Sequence, residues 1–157
     1  MTTNSAAFAS HSPDATAHLA AKLGAGLSPG DCLLLSGGIG AGKSHFARAL
    51  ILSRLAEPED VPSPTFTIVQ TYDLPDCELW HADLYRLGDP DQIIELGLLD
   101  AVDTAITLIE WPDRLQDLTP PHALHIAIAD PAQDDTRVIT LSWSDAKWSD
   151  VVARALS

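Results

Sequence analysis

Gly37-Gly38-Ile39-Gly40-Ala41-Gly42-Lys43-Ser44 decides how the rest of the chain is read. The octet fits G-x-x-x-x-G-K-[ST]. Before it stands an unbroken apolar run, Cys32-Leu33-Leu34-Leu35-Ser36; after it, Lys43 to Leu55 has helical spacing with Phe46, Leu50 and Ile51 inward. An apolar run without alternation suits a strand covered on both faces, as in a parallel sheet. Strand, glycine-rich loop and helix in that order make a phosphate-binding loop. Its glycines let the backbone wrap closely, so that N–H groups and the helix N-terminus face anionic phosphate. Lys43 is expected to reach the β- and γ-phosphates as a point charge, and the Ser44 hydroxyl to ligate Mg²⁺. Gly37, Gly38, Ile39, Gly40, Ala41, Gly42, Lys43 and Ser44 are thus the nucleotide-binding candidates.

Working outward, Ser12-Pro13-Asp14 opens a helix, with Ser12 as cap and Pro13 in the first helical position. Leu19, Leu23 and Leu27 give it an apolar stripe, and Ser28-Pro29-Gly30 marks its stop. Residues 1–11 are expected to be a flexible N-terminus, and 12–157 the domain. On the other side, Pro58, Pro62 and Pro64 leave little room for regular structure between Glu57 and Pro64. Thr65 to Tyr72 and Glu78 to Asp83 read as strands joined at Leu74-Pro75-Asp76. Asp89-Pro90 opens a short helix through Leu99, and Ala105 to Glu110 is another buried strand. Ala123 to Ala129 and Arg137 to Trp143 are late strands about a turn at Asp130 to Thr136, and Ser144 to Leu156 is a closing helix capped by Ser144 or Asp145. This order predicts a single-domain α/β fold of P-loop NTPase type, mostly parallel in its central sheet, with antiparallel additions and flanking helices.

The chain of 157 residues, 46% of them hydrophobic, is long enough for one domain and short for two. Nine Lys+Arg against 22 Asp+Glu leave a formal charge of -13. Such a surface disfavours a direct grip on a phosphate backbone and suits a basic protein partner. Neither a leader nor a membrane span is legible, and Cys32 and Cys77 read as free thiols of a reducing compartment, so a cytoplasmic location is expected. His122 and His125 stand at an odd offset on a strand, which points them to opposite faces and argues against a shared metal.

Guanine-specific GTPases read their base with Asn-Lys-x-Asp, and Asn4 is the one asparagine here, so ATP is the expected nucleotide. Mg²⁺ takes hard oxygen ligands, usually one or two carboxylates beside the phosphates. Asp83 and Glu110 both end apolar strands, where a parallel sheet opens its ligand crevice. Either one can hold the metal while the other orients the attacking water; the bland alternative is a solvated strand-end acid.

Gly40-Ala41-Gly42-Lys43-Ser44, Ser63-Pro64-Thr65-Phe66-Thr67, His81-Ala82-Asp83-Leu84-Tyr85-Arg86-Leu87 and Glu110-Trp111-Pro112 follow one another in this order. The series resembles the bacterial TsaE (YjeE) family, P-loop ATPases needed to make N6-threonylcarbamoyladenosine in tRNA, over most of the chain. The resemblance implies Mg²⁺ ligation by Ser44 and Glu110, a γ-phosphate contact from Thr65 in a switch-like Ser-Pro-Thr loop, and a role for Asp83 in hydrolysis. It also implies Trp111 close to the nucleotide and, more loosely matched, Pro13 by the adenine and Arg137 as a late nucleotide contact. Catalysis thereby falls to Asp83, Glu110, Thr65 and Lys43.

One departure stands out: the family usually reads Gly-Asp-Leu-Gly-Ala-Gly-Lys-Thr, where this chain has Gly38 and Ile39 for Asp and Leu. The backbone cradle survives, but a carboxylate near the γ-phosphate is missing. The expected function is an Mg²⁺-dependent ATPase, slow alone, acting on the TsaB–TsaD complex and touching tRNA only indirectly, with no membrane partner. The rivals are a small-molecule kinase and a nucleotide-gated binding module without significant hydrolysis. His45, Trp80, Trp143 and Trp148 read as surface or packing residues, and His81 as a satisfied strand histidine. Tyr85 is divided between core packing and a contact to partner or nucleotide, whereas Arg86 reads as functional, with an arginine finger in cis as the bolder role.

Overall fold

The computed structural model describes residues 3–38, 41–129 and 136–157. Ile39, Gly40 and most of the expected turn after residue 129 lie outside these described residues. Seven strands form one sheet: β1 (Asn4–Ser10), β2 (Cys32–Ser36), β3 (Val69–Asp73), β4 (Glu78–Asp83), β5 (Ile106–Glu110), β6 (Leu124–Ala129) and β7 (Arg137–Trp143). Their spatial order is β1-β7-β6-β2-β5-β4-β3. The centre is parallel, β2 pairing with β5 and β6, and β4 with β5. The β1–β7, β6–β7 and β3–β4 pairs are antiparallel. Among the described residues five α-helices cover the sheet: α1 (Pro13–Ala25), α2 (Lys43–Arg54), α3 (Pro90–Glu95), α4 (Leu98–Thr104) and α5 (Lys147–Leu156).

The apolar run of β2 is buried because each face has its own cover. Leu33 and Leu35 join Leu23, Phe46, Leu50 and Trp148 in one core. Cys32 and Leu34 face the other way, among Ile93, Leu98, Val102 and Leu115. Burying a leucine side chain stabilises by about 1.5–3 kcal/mol, so three in succession anchor the strand that launches the phosphate loop. Burial also pushes the Cys32 thiol up to about 12, and it stays protonated and unreactive. Both cysteines are free.

Ser12 caps α1 by accepting the Ala15 N–H at 3.0 Å. At the other end Arg54 donates to the Gly24 and Leu27 carbonyls (2.7 and 2.8 Å), tying α2 to the close of α1. The Trp148 indole donates to the His122 carbonyl at 2.7 Å, fixing α5. Among the described residues no helix is long and apolar enough to cross a membrane.

Five expectations need correction. Residues 1–11 were expected to be flexible, yet β1 pairs with β7 along its whole length, from Asn4↔Trp143 to Ser10↔Arg137. The stabilisation comes from a strand over a hundred residues away and from Phe8 packing on the core, neither of which local spacing announces. The strand expected from Thr65 begins only at Val69: Ile68 sits at φ 72° and donates its N–H to the Pro64 carbonyl at 2.7 Å, closing a turn first. The helix expected through Leu99 divides into α3 and α4 at Gly97, whose φ of 79° suits glycine and ends α3. A 3-10 helix, Pro112–Leu118, follows β5 where no element was expected. The closing helix starts later than expected, at Lys147, whose N–H is accepted by the Asp145 carboxylate at 3.0 Å.

Candidate functional site

The C-terminal ends of β2, β4 and β5 and the start of α2 enclose one crevice. Gly37 turns the chain out of β2 at φ 150°, and a Cβ built there would meet the Ile128 carbonyl oxygen at 2.6 Å. Gly42, at φ 109°, opens α2 and accepts the Phe46 N–H at 2.9 Å. Gly38 differs: nothing among the described residues lies within 4 Å of a Cβ placed on it, so alanine or aspartate fits there. Gly37→Ala is expected to lower stability by about 2 kcal/mol through strain and overpacking, and Gly38→Ala to be nearly neutral. Thermal melts of the two variants check this; equal losses would contradict it.

Lys43 curls back over the loop. Its Nζ donates to the Gly37 and Gly38 carbonyls (2.6 and 3.1 Å) and lies 4.2 Å from the centre of the Trp111 ring. Burial pulls its pKa below the ordinary lysine value, while Glu110 and Asp83 partly restore it. The ammonium is held over the loop by two neutral carbonyls, which phosphate oxygens can replace.

Asp83 and Glu110 are register partners on β4 and β5, and both are buried. The Ser44 hydroxyl donates to Glu110 Oε1 at 3.3 Å, and Asp83 Oδ1 accepts the Tyr85 N–H at 2.9 Å. Thr65 comes in from the Ser-Pro-Thr loop, its hydroxyl sharing a 2.8 Å hydrogen bond with Ser63. Asp83 N–H also donates to the Ile68 carbonyl at 2.8 Å, so the end of that loop is bonded to the end of β4. Lys43, Ser44, Thr65, Asp83, Glu110 and Trp111 line one cavity of about 380 Å³. An adjoining cavity of about 240 Å³ is lined by Ser12, Pro13, Thr16, Ala41, His45 and Arg137.

The structure thus brings together the described nucleotide, metal and catalytic candidates in two neighbouring cavities or the loop between them, and leaves Arg86 outside both. His45 belongs to both: its Nε2 donates to the Pro13 carbonyl at 2.9 Å, placing the ring on the dividing wall rather than on an open helix surface. Arg137 Nε donates to the Ala41 carbonyl at 3.2 Å, which braces the phosphate loop. Tyr85 is not core; it is 45% exposed and its ring lies 4.8 Å from that of Trp111. Arg86 lines neither cavity, and its guanidinium stacks 4.8 Å over exposed Phe66. Trp111 holds a left-handed backbone, φ 57°, a strained conformation of the sort that gathers at functional sites.

His81 is the residue that sequence reasoning undervalued. Its Nε2 lies 2.6 Å from Glu110 Oε2, with both side chains buried. The available signal was the two-residue period of β4, which sets His81 on the same side as Asp83.

The donor set fits Mg²⁺: a hydroxyl and carboxylate oxygens at the mouth of a phosphate loop are hard ligands. Among the described residues no group of three or more His, Cys, Asp or Glu side chains can hold a metal by itself. A cation here would draw its remaining ligands from phosphate and water.

Comparison with known proteins follows the same direction. The family model described as "Threonylcarbamoyl adenosine biosynthesis protein TsaE" matches residues 10–139. A Rickettsia bellii protein named tRNA threonylcarbamoyladenosine biosynthesis protein TsaE is 36% identical over 132 residues, covering 84% of this chain and 91% of its own. A Rickettsia conorii protein of the same name is 41% identical over 112 residues, 71% of this chain and 64% of its own length. The crystal structure of Bacillus subtilis YdiB superposes with a TM-score of 0.79 at 26% identity, covering 99% of this chain and 97% of that one.

Proposed function

The chain belongs to the TsaE family, whose role lies in making threonylcarbamoyladenosine in tRNA, and from that premise we propose that it is an Mg²⁺-dependent ATPase acting on the TsaB–TsaD complex. The observation that carries the reading is the convergence of Lys43, Ser44, Thr65, Asp83 and Glu110 on one cavity beside the phosphate loop. Loop N–H groups and Lys43 receive the phosphates, and the cavity between Pro13 and Arg137 receives the adenine. Ser44 and Glu110 hold Mg²⁺, which when bound offsets the phosphate charge. Asp83 orients the attacking water. Thr65 contacts the γ-phosphate, and its loss on hydrolysis frees the Ser63 to Phe66 loop. Because Ile68 is hydrogen-bonded to Asp83, loop and hydrolytic site are mechanically joined. Intrinsic turnover is slow: Gly38 supplies no carboxylate near the γ-phosphate, and Arg86 is engaged with Phe66. This cytoplasmic role needs no membrane contact.

The charge of -13 fits docking on protein rather than on tRNA. The deciding experiment is a reconstituted TsaB–TsaD reaction on tRNA over many cycles, with the chain added or withheld and ATP consumption followed alongside. Repeated turnover is expected only with the chain, coupled to ATP loss and weakened by raised salt. Equal modification in its absence would refute the role. Stimulation without ATP loss would favour the gated module instead, and phosphate transfer to a metabolite the kinase.

A further inference from the structure

We propose that His81 is a positioning residue for Glu110: it occupies one carboxylate oxygen and thereby turns the other toward Ser44 and the cation. This rests on the reading that Glu110 holds Mg²⁺. The geometry is specific. His81 Nε2 meets Glu110 Oε2 at 2.6 Å, while Ser44 Oγ is nearer to Oε1 (3.3 Å) than to Oε2 (3.5 Å). The two oxygens of one carboxylate thus have different principal partners.

An ionised carboxylate only accepts, so Nε2 carries the proton and donates it to the hydrogen bond. That leaves the Nδ1 lone pair without a hydrogen-bond partner among the described residues. A histidine kept merely as filling would gain more by satisfying that atom. Its other neighbours on β4, Leu79 and Ala82, are apolar and buried, and an apolar side chain would suit the strand equally well. What it alone supplies is a short, directed donor to Glu110. Partners of this kind fix the orientation of metal ligands, and losing them typically costs 10–100-fold in metal affinity.

The test compares His81→Phe, which keeps a ring but no donor, with His81→Asn, whose amide sits near the Nδ1 position, and His81→Gln, whose amide reaches toward that of Nε2. Binding of the β,γ-imido analogue of ATP is measured by calorimetry across a range of Mg²⁺ concentrations. The Mg²⁺ concentration for half-maximal tightening is expected to rise about 10–100-fold in the Phe and Asn variants and to stay within about threefold of the original in the Gln variant. Nucleotide affinity without Mg²⁺ should be the same in all of them. Unchanged Mg²⁺ midpoints in the Phe and Asn variants would overturn the inference, as would a Gln variant as impaired as Phe. Should the Phe variant fail to fold, the Asn and Gln pair decides by itself. If the unsubstituted protein binds the analogue equally well with and without Mg²⁺, the metal reading falls, and this inference with it; that failure is recognisable because no substitution is involved.

Discussion

Lys43→Met is expected to weaken ATP binding by about 10²–10³-fold while leaving a folded protein. The side chains that line the main cavity include two carboxylates, Asp83 and Glu110, and one lysine. Without that lysine a triphosphate would enter a site whose fixed charges repel it. A unit-charge pair about 4 Å apart is worth about 4 kcal/mol at an effective dielectric near 20, which sets the upper end of the range. Lys43 is poised for the task because its present partners, the Gly37 and Gly38 carbonyls, are neutral and easily exchanged for phosphate oxygens. Methionine keeps an unbranched apolar stem of similar length, so the loss reports charge rather than volume. Calorimetric titration with ATP, beside a thermal melt, measures both halves of the claim. Affinity within a few-fold of the original would mean that the loop N–H groups alone hold the phosphates.

How much of this site was legible in the sequence depends on the range over which each signal acts. Cys32 to Ser36 announced a doubly covered strand because a continuous apolar run has no solvent face to hide. Gly37 to Ser44 announced a phosphate loop because the backbone geometry it needs is written in glycine. Asp83 and Glu110 could be placed at strand ends, and the parallel register of β4 and β5 then made them neighbours. What stayed hidden depends on partners distant in sequence. β1 is a strand because β7 receives it, and its Ala-rich residues carry no strong alternation of their own. The left-handed Ile68 and Trp111 are conformations that glycine would advertise and these residues do not. His81 looked ordinary because its importance lies in a contact with a residue 29 positions away.

The hydrogen bond from Asp83 N–H to the Ile68 carbonyl gives the proposed switch a physical basis. The Ser-Pro-Thr loop ends at Ile68, whose own N–H returns to Pro64. A γ-phosphate that draws Thr65 inward therefore pulls on a closed turn anchored to the hydrolytic strand. Phe66, at 77% exposure, rides on that turn and carries the Arg86 stack with it. On the proposed switch, nucleotide state would be coupled to the placement of an exposed aromatic and an exposed cationic group on a chain of net charge -13, and a partner would read it there.

Asp83→Asn separates binding from hydrolysis. The substitution preserves shape, and either terminal atom of asparagine can be turned so that its oxygen still accepts the Tyr85 N–H now held at 2.9 Å. The group is buried, 6% exposed, so the loss of its charge is felt at full strength in the cavity. If Asp83 orients the water and takes its proton, single-turnover hydrolysis with protein in excess should fall about 10²–10⁴-fold, the usual worth of a positioned general base. ATP affinity should meanwhile hold or tighten slightly, because one negative charge facing the phosphates is gone. Rapid-quench measurement of ADP formation, with and without TsaB–TsaD, gives the rate; titration with the β,γ-imido analogue gives the affinity. A variant that hydrolyses normally would remove Asp83 from the chemistry. One that loses affinity and rate together, and recovers both with excess Mg²⁺, would make it a metal ligand beside Glu110 instead.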